Sequence, residues 1–449
     1  MTDTIAGLPF WEITFDEQGD PDGTANPQAI KEIADRKLTD VVLFSHGWNN
    51  NHTVAMALYQ GWFAHLAAQL THAKNPVAVG LVGIFWPSQR WSDEPIPDFA
   101  PSPGGGATPG AAALSSSSTY ENSASLEPAE LEALQLAFPK AKDALARMAV
   151  LLDGEPSAGA LDEFRQLLST LATTSDDDGE GGETSGQPRM LADDPLTLFG
   201  RFSAALVDSG AVFTDADVED AAGLGDTLKG IWNGAKEALR QATYFEMKNR
   251  AGIVGRSGLG PFIVQLNQAV PGIRVHLVGH SFGARVVSYA LAGVPDAPRP
   301  IKSVTLLQGA FSHFAFADPL PFDATRKGGL AGKLSRIDGP LTVVFSTHDD
   351  AVGRFYPLAS ITSGDDAAGL GDHLYRWGGM GHDGAQGVGA LLDAIQPAGA
   401  STSYRLRDGH VLNVDASEIV CQGTSPSGAH SDIVHPEITW LTLLAAKIV

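Results

Sequence analysis

The chain has little cysteine, little positive charge and no long apolar segment. Its 449 residues include one cysteine, Cys421, so an intramolecular disulfide is impossible and an oxidising compartment is not indicated. Residues 1–20 contain neither a basic start nor an apolar run of signal-peptide length. No segment has the length of apolar sequence that a bilayer requires. We expect a cytoplasmic protein, and we leave open export by a route that needs no N-terminal signal.

Lysine and arginine total 30 against 52 aspartates and glutamates, which gives a formal net charge of −22. A surface of that sign repels nucleic acids and anionic lipid headgroups, so we exclude nucleic acid as a default partner. Apolar residues make up 43% of the chain and charged residues 18%, which is typical of a globular protein with a sizeable core. The charge itself indicates nothing about the fold.

The apolar pattern divides the chain into two α/β parts separated by a long insertion. Residues 1–90 and 226–449 alternate continuous apolar runs with helical spacing, which predicts a mostly parallel sheet with helices on both faces. Residues 91–225 predict helices joined by flexible linkers, a candidate cap. The predicted strands are 10–15, 41–45, 78–85, 273–278, 304–307, 341–345 and 411–414. The predicted helices of the insertion are 131–152, 161–171 and 195–206, and its predicted linkers are 98–119 and 173–187.

One motif in the second α/β part indicates a nucleophile. Gly279, Ser281 and Gly283 form a G-x-S-x-G pattern between a predicted strand and a helical run at 284–291. A strand-to-helix turn this sharp projects the serine hydroxyl at the carboxyl end of the sheet. Side chains two residues before and after the serine would collide with the neighbouring elements, which explains both glycines. We predict that Ser281 is a nucleophile.

A serine hydroxyl needs an imidazole to take its proton and an acid to orient that imidazole. The expected order along the chain is serine, acid, histidine. Asp349 and Asp350 both follow the predicted strand at 341–345, at the sheet edge where ligands bind. We favour Asp349, the first acid off the strand, and keep Asp350 as the alternative.

The base is expected after the last strand. His430 lies at the end of a glycine-containing loop that follows strand 411–414, and we predict that it is the base. His435 is the second candidate, since it precedes Pro436 and is placed better in a loop than in a helix. His382, in a glycine-rich loop, is a third candidate that we interpret as an ordinary loop histidine.

A tetrahedral intermediate also needs fixed N–H donors where its negative charge develops. One donor is expected from the amide of Phe282, directly after the nucleophile. The second is expected from the loop after an early strand, where Gly47 allows close approach and we assign the Trp48 amide. We interpret His46 as a residue that braces this loop, because the base should come late in the chain.

At these residues the chain resembles the α/β-hydrolase superfamily. The matching pieces are Ser45-His46-Gly47-Trp48-Asn49-Asn50, Gly279-His280-Ser281-Phe282-Gly283, Ser346-Thr347-His348-Asp349 and His430, and Phe85-Trp86-Pro87-Ser88 is similar to a strand ending in a group of bacterial serine hydrolases. The resemblance covers about residues 10–90 and 230–449. It implies hydrolysis of an ester, thioester or amide, or acyl transfer, without a metal or organic cofactor.

Two hypotheses about function follow. The first is a carboxylic-ester hydrolase, with Ser281 as nucleophile, His430 as base and Asp349 as the orienting acid, acting on a small-molecule or lipid-like ester beneath a helical cap. The second is a non-catalytic interaction module on a hydrolase scaffold, in which the acidic insertion recognises a partner. Peptidase and acyltransferase activities with the same three residues stay open, because the shape of the pocket decides the substrate.

Overall fold

The structure of the protein is a computed structural model. It describes residues 3–73, 77–88, 124–172, 189–208, 230–355, 357, 376–399, 401–423 and 427–449. The predicted linkers at 98–119 and 173–187 lie outside the described residues. Within the described ranges, no helix combines the length and the apolar character that crossing a membrane requires.

The described residues form a sheet of nine strands. They are β1 (Asp3–Ile5), β2 (Leu8–Thr14), β3 (Asp40–Ser45), β4 (Val79–Phe85), β5 (Arg274–His280), β6 (Ile301–Leu307), β7 (Leu341–Phe345), β8 (Leu391–Ala394) and β9 (Val411–Asp415). Their order in the sheet is β1-β2-β4-β3-β5-β6-β7-β9-β8. Every neighbouring pair is parallel except β1 with β2. The prediction of a mostly parallel α/β sheet is therefore confirmed.

Helices connect these strands and cover the sheet. They are α1 (Ala25–Asp35), α2 (His52–Gln69), α3 (Pro128–Ala137), α4 (Lys142–Leu152), α5 (Ala158–Ala172), α6 (Pro195–Asp208), α7 (Ile231–Ile253), α8 (Gly260–Ala269), α9 (Phe282–Gly293), α10 (Met380–Asp383) and α11 (Pro436–Ala445). A π-helical turn, Val254–Leu259, joins α7 to α8 without a loop. Crossover helices of this kind are what parallel strands require, because a short hairpin cannot connect them.

The central strands are buried on both faces, which is why their sequences are continuous apolar runs. Every residue of β3 is buried. Val41 and Leu43 belong to one hydrophobic cluster, whereas Val42 and Phe44 belong to another. The first cluster contains residues of α1, α7, α8 and α9, and the second contains residues of α2 and α11. Side chains alternate across a strand, so the two clusters lie on opposite faces of the sheet.

The helices from the predicted insertion pack on α7. Phe164 of α5 lies 5.7 Å, between ring centroids, from both Phe199 of α6 and Trp232 of α7. Buried residues of α3 to α6 therefore share one hydrophobic cluster with α7 and with one face of the sheet. The division into residues 1–90 with 226–449 and residues 91–225 stays a prediction.

Two local features differ from the predicted elements. The helix predicted at 131–152 is two helices, because Phe138 adopts a non-helical conformation before Pro139, as residues before proline commonly do. Strands β1 and β8 are absent from the sequence prediction. Both lie at the edges of the sheet, and β8 is short and half-exposed, so neither has the apolar run that marks a central strand.

Candidate active site

Ser281 lies in the turn between β5 and α9, with φ 56° and ψ −123°. A positive φ is strained for a residue with a side chain, and such strain concentrates at functional sites. The turn is possible because its flanking glycines touch backbone. A β-carbon on Gly279 would lie 2.3 Å from the Gly283 carbonyl oxygen, and one on Gly283 would lie 2.0 Å from the Ser45 carbonyl oxygen. The predicted sharp strand-to-helix turn is therefore present.

Three side chains from distant parts of the sequence meet at this turn. The Ser281 hydroxyl lies 2.9 Å from Nε2 of His430, and Nδ1 of His430 lies 2.8 Å from a carboxylate oxygen of Asp349. A carboxylate only accepts hydrogen bonds, so Nδ1 carries the ring proton and Nε2 is free to accept from the serine hydroxyl. The arrangement can pass the serine proton to the imidazole, with the carboxylate stabilising the imidazolium that forms.

Asp349 is held firmly as the partner of His430. It follows β7, it is fully buried, and its second carboxylate oxygen accepts the Val352 backbone N–H at 3.0 Å. The neighbouring Asp350 is half-buried and its carboxylate lies against Gly428 instead. The structure thus brings the favoured acid, and not the alternative, onto the imidazole.

The other two candidate bases have different contacts. Nε2 of His435 lies 2.8 Å from a carboxylate oxygen of Asp432, at the residue that precedes α11. Nδ1 of His382 lies 3.3 Å from the backbone carbonyl oxygen of Asp349, so this histidine contacts the acid's peptide and not the nucleophile. Among the described residues, His430 is the histidine that bonds the Ser281 hydroxyl.

The loop after β3 lies directly beside the nucleophile. A β-carbon on Gly47 would lie 3.2 Å from the Ser281 hydroxyl oxygen, so the peptide leading to Trp48 passes the reacting group closely. The side-chain amide of Asn50 donates to the carbonyl oxygens of Trp48 at 2.8 Å and Gly47 at 3.3 Å, which fixes the loop. On the other side, Phe282 begins α9, and first-turn amides have no partner within their helix. The loop that carries Trp48 and the first residue of α9 therefore both lie beside Ser281, and their amides stay predicted oxyanion donors.

His46 braces this loop, as predicted. Its ring stacks on Trp86 at a centroid distance of 5.6 Å, its Nδ1 lies 2.9 Å from the Gly47 carbonyl oxygen, and its own carbonyl oxygen accepts the Trp86 indole N–H at 3.0 Å. Complete burial lowers the pKa of His46 to about 4. The ring is therefore neutral near pH 7 and adds no charge beside the proposed oxyanion position.

Tyr244 of α7 is a neighbour of the site that the sequence prediction missed. Its ring lies 4.6 Å from Phe282 and 5.8 Å from Trp48, measured between centroids. Its hydroxyl donates to the Ala310 carbonyl oxygen at 2.8 Å, and the Ala310 N–H donates to the Ser281 carbonyl oxygen at 3.3 Å. No sequence motif marks Tyr244, because its contacts join residues far apart in the chain.

A second array of the same residue types lies toward the amino ends of β3, β5 and β6. Nε2 of His276 lies 2.9 Å from a carboxylate oxygen of Asp40, and Nδ1 lies 2.9 Å from the Ser303 hydroxyl. All three residues are completely buried, whereas the His430 side chain is 13% exposed and Ser281 is 5% exposed. The Ser281 array is therefore distinguished by its partial exposure to solvent and by the strained backbone of its hydroxyl residue.

No family model, curated protein or solved structure matches the chain. The chemistry of the site is therefore inferred from its own residues and their geometry. These residues offer a hydroxyl group, an imidazole bonded to it, a buried carboxylate behind the imidazole and a glycine-containing loop beside the hydroxyl.

Proposed function

We propose that the protein is a serine hydrolase of the α/β-hydrolase type that cleaves a carboxylic ester. The observation that carries this proposal is the continuous pair of hydrogen bonds from Ser281 through His430 to Asp349, at a strained strand-to-helix turn. The order serine, aspartate, histidine along the chain supports it, because that is the order on the α/β-hydrolase scaffold.

In the proposed reaction, the Ser281 hydroxyl oxygen attacks the ester carbonyl carbon while its proton moves to Nε2 of His430. The carbonyl oxygen becomes an oxyanion, and the amides of Phe282 and Trp48 stabilise it. The intermediate collapses, the bond to the alcohol oxygen breaks, and His430 returns the proton to the leaving alcohol. His430 then takes a proton from a water molecule as the water oxygen attacks the acyl carbon. The bond to the Ser281 oxygen breaks, His430 gives the proton to that oxygen, and the carboxylic acid is released.

We further propose that the acyl group of the substrate is hydrophobic. The half-buried Trp48 packs against the buried rings of Tyr244 and Phe282 beside the nucleophile, and the exposed part of its apolar ring suits an acyl chain. Helices α3 to α6 pack on α7, which reaches this aromatic group through Tyr244, and this supports the helical insertion as a cap. A lipid-like ester is the substrate class that these contacts favour.

A fluorophosphonate probe tests the nucleophile, because it phosphonylates only serines that are activated by a base. We expect stoichiometric labelling of the wild type and none of Ser281→Ala. His430→Asn should label at least about a hundred times more slowly, because the base contributes roughly two to four orders of magnitude. His435→Asn is the matched control and should label like the wild type, since its ring bonds Asp432. Equal labelling of wild type and Ser281→Ala would overturn the proposal.

Matched substrates test the reaction class. A series of p-nitrophenyl esters with lengthening acyl chains should show kcat/KM rising with chain length, and the corresponding p-nitroanilides should react far more slowly. Anilide cleavage at the ester rate would instead indicate a peptidase, and product transferred to an added alcohol in place of water would indicate an acyltransferase. An absence of both labelling and turnover would favour the interaction module.

A further inference from the structure

Two buried side chains that the proposed reaction does not use join the sheet to the loop carrying His430. His280, the last residue of β5, donates its Nε2–H to the backbone carbonyl oxygen of His430 at 2.8 Å. Gln308, directly after β6, donates its side-chain amide to the carbonyl oxygen of Ala429 at 3.1 Å. Two successive carbonyl oxygens of one loop therefore each receive a donor from the ends of adjacent strands.

Backbone hydrogen bonds fix the residues beside the base, from the Ala429 N–H to the His348 carbonyl oxygen at 2.8 Å and from the Asp432 N–H to the Ala429 carbonyl oxygen at 3.0 Å, but those at His430 itself are few. His430 lies between β9 and α11, outside any helix or strand, and its own N–H reaches the Ser427 carbonyl oxygen only at 3.4 Å. A base must be held to within about 0.5 Å of its productive position for efficient proton transfer. The hydrogen bonds from the imidazole to Ser281 and Asp349 cannot by themselves hold the base this closely, because the ring moves with the backbone of His430.

Each of the two side chains donates one hydrogen bond, but each also has an acceptor atom without a hydrogen-bond partner among the described residues. In the described part of the structure, neither Nδ1 of His280 nor the side-chain oxygen of Gln308 has a hydrogen-bond partner. Both residues are almost completely buried, His280 at 3% exposure and Gln308 at 0%. An unpaired buried polar atom is unfavourable, and an apolar residue of the same size would avoid it. Packing alone therefore does not explain why a histidine and a glutamine occupy these buried positions, whereas the hydrogen bonds that they donate do.

His280 is also suited to this role electrostatically. Its ring centroid lies 5.0 Å from that of His430. Burial lowers the pKa of His280 to about 3, so the ring stays neutral near pH 7. A neutral donor does not repel the imidazolium that forms during the reaction, and its hydrogen bond does not change with pH in that range.

We propose that His280 and Gln308 are positioning residues for the base. They hold the carbonyl groups at 429 and 430 and so keep the His430 imidazole in line between Ser281 and Asp349. His280 directly precedes the nucleophile, and the Ser281 N–H donates to the carbonyl of Leu307, which directly precedes Gln308, so the nucleophile and the base loop share one anchor. This inference rests on the proposed hydrolase function.

The test removes each donor while keeping the volume of the side chain. In His280→Phe and Gln308→Met we expect kcat on a p-nitrophenyl ester to fall about tenfold, the factor that one lost hydrogen bond corresponds to, while KM changes less than twofold. The rate of fluorophosphonate labelling should fall in parallel with kcat, because both report on activation of Ser281. His280→Gln places an amide donor at nearly the same distance and should recover most of the loss.

Gln69→Met is the matched control. Gln69, the last residue of α2, donates its side-chain amide to the Pro436 carbonyl oxygen at 2.8 Å, six residues after the base. Its replacement removes the same kind of bond from the same part of the chain, and we expect kcat to stay within twofold of the wild type. Melting temperatures of all variants show whether any loss reflects unfolding.

The outcomes separate this inference from the proposed function. A wild type without labelling or turnover contradicts the hydrolase itself. An active wild type whose kcat is unchanged in both His280→Phe and Gln308→Met overturns the positioning role. Equal loss in His280→Phe and His280→Gln also overturns it for His280, because packing of the ring would then matter more than its donor. If His280→Phe does not fold, Gln308→Met and His280→Gln still decide the question.

Discussion

Gly47 lies so close to Ser281 that a β-carbon at position 47 would lie 2.6 Å from Cβ of the serine. Carbon atoms that are not bonded to each other do not approach this closely in folded proteins. Any side chain at position 47 therefore forces the loop and the serine apart. The loop also carries the Trp48 amide, one of the two proposed oxyanion donors. The contact therefore sets the distance between Ser281 and the amide that is proposed to stabilise the tetrahedral intermediate.

Gly47→Ala should lower kcat/KM by at least about 100-fold, the effect of displacing reacting groups by about 1 Å. Melting temperatures measured alongside show whether the loss reflects unfolding, because Asn50 and His46 fix this loop and the substitution strains it. Gly159→Ala on α5 is the control, since a β-carbon there meets nothing within 4 Å. Turnover of Gly47→Ala at the wild-type rate would mean that the loop does not hold an oxyanion donor.

The two neighbouring acids should behave differently when each becomes an amide. Asp349→Asn leaves the hydrogen-bond geometry nearly intact but favours the wrong tautomer of His430, and kcat should fall about 10³- to 10⁴-fold. Asp350→Asn should retain more than half of the activity, because its carboxylate lies against Gly428. Steady-state kinetics on one ester measures both. A larger loss in Asp350→Asn would contradict the assignment of the acid.

The sequence predicts the elements that the site depends on most directly. Apolar runs mark β3 and β7, and mostly apolar residues mark β5, because both faces of these strands are covered. The G-x-S-x-G pattern marks the turn after β5 because only glycine fits beside the neighbouring backbone. The structure brings Ser281, Asp349 and His430 together at the predicted end of the sheet, and their catalytic roles stay predictions that turnover must test.

The supporting residues could not be predicted in the same way. Tyr244 contacts Phe282 and Trp48 across large separations in sequence, and its helix has no motif that indicates those contacts. Gln308 acts through a single hydrogen bond to a loop carbonyl, and no pattern of spacing encodes such a bond. Edge strand β8 has only four residues and a half-exposed face, so its periodicity is too short to recognise.

The packing of α6 on α7 can be tested with one glycine on each of these two helices. A β-carbon on Gly234 of α7 would lie 1.9 Å from the Phe199 carbonyl oxygen, whereas one on Gly200 of α6 meets nothing within 4 Å. Gly234→Ala should lower the free energy of unfolding by about 1–3 kcal/mol through overpacking. Gly200→Ala should raise it by about 0.5–1 kcal/mol, the usual gain in a helix. Urea unfolding measures both, and equal effects would contradict the observed contact.

Acid should destabilise the fold through its buried histidines. Burial lowers the pKa of His46 to about 4 and that of His280 to about 3, from an ordinary value of 6.5. In the unfolded chain both take up protons below pH 6.5, while in the folded protein they do not until pH 4 or lower. Their contribution to stability is thus complete above pH 6.5 and is lost as the pH falls.

Each such histidine should contribute a slope of about 1.4 kcal/mol per pH unit to the free energy of unfolding between pH 6 and its folded pKa. His280→Gln removes one titrating group, so its urea-unfolding free energy should fall with decreasing pH less steeply than that of the wild type, by about that amount. Parallel curves for the two proteins would show that His280 is not buried as a neutral group.

The second Ser-His-Asp array should affect stability without affecting turnover. Ser303→Ala removes the hydroxyl that bonds Nδ1 of His276 and leaves that buried nitrogen unpaired, which costs about 1–3 kcal/mol. Its kcat/KM should match the wild type. Ser281→Ala should show the opposite pattern, with little change in unfolding free energy and no turnover. Loss of activity in a fully folded Ser303→Ala would contradict this separation.

The presence of two Ser-His-Asp arrays has a consequence for recognising enzymes by the geometry of their side chains. A geometric template that requires only a hydroxyl, an imidazole and a carboxylate at hydrogen-bonding distances would match two sets of residues in this molecule. Of the two arrays, the one around Ser281 contains side chains that are partly exposed to solvent, whereas the other is completely buried. Template searches therefore gain discrimination from solvent contact and from the backbone angle at the hydroxyl residue, rather than from tighter tolerances on distance.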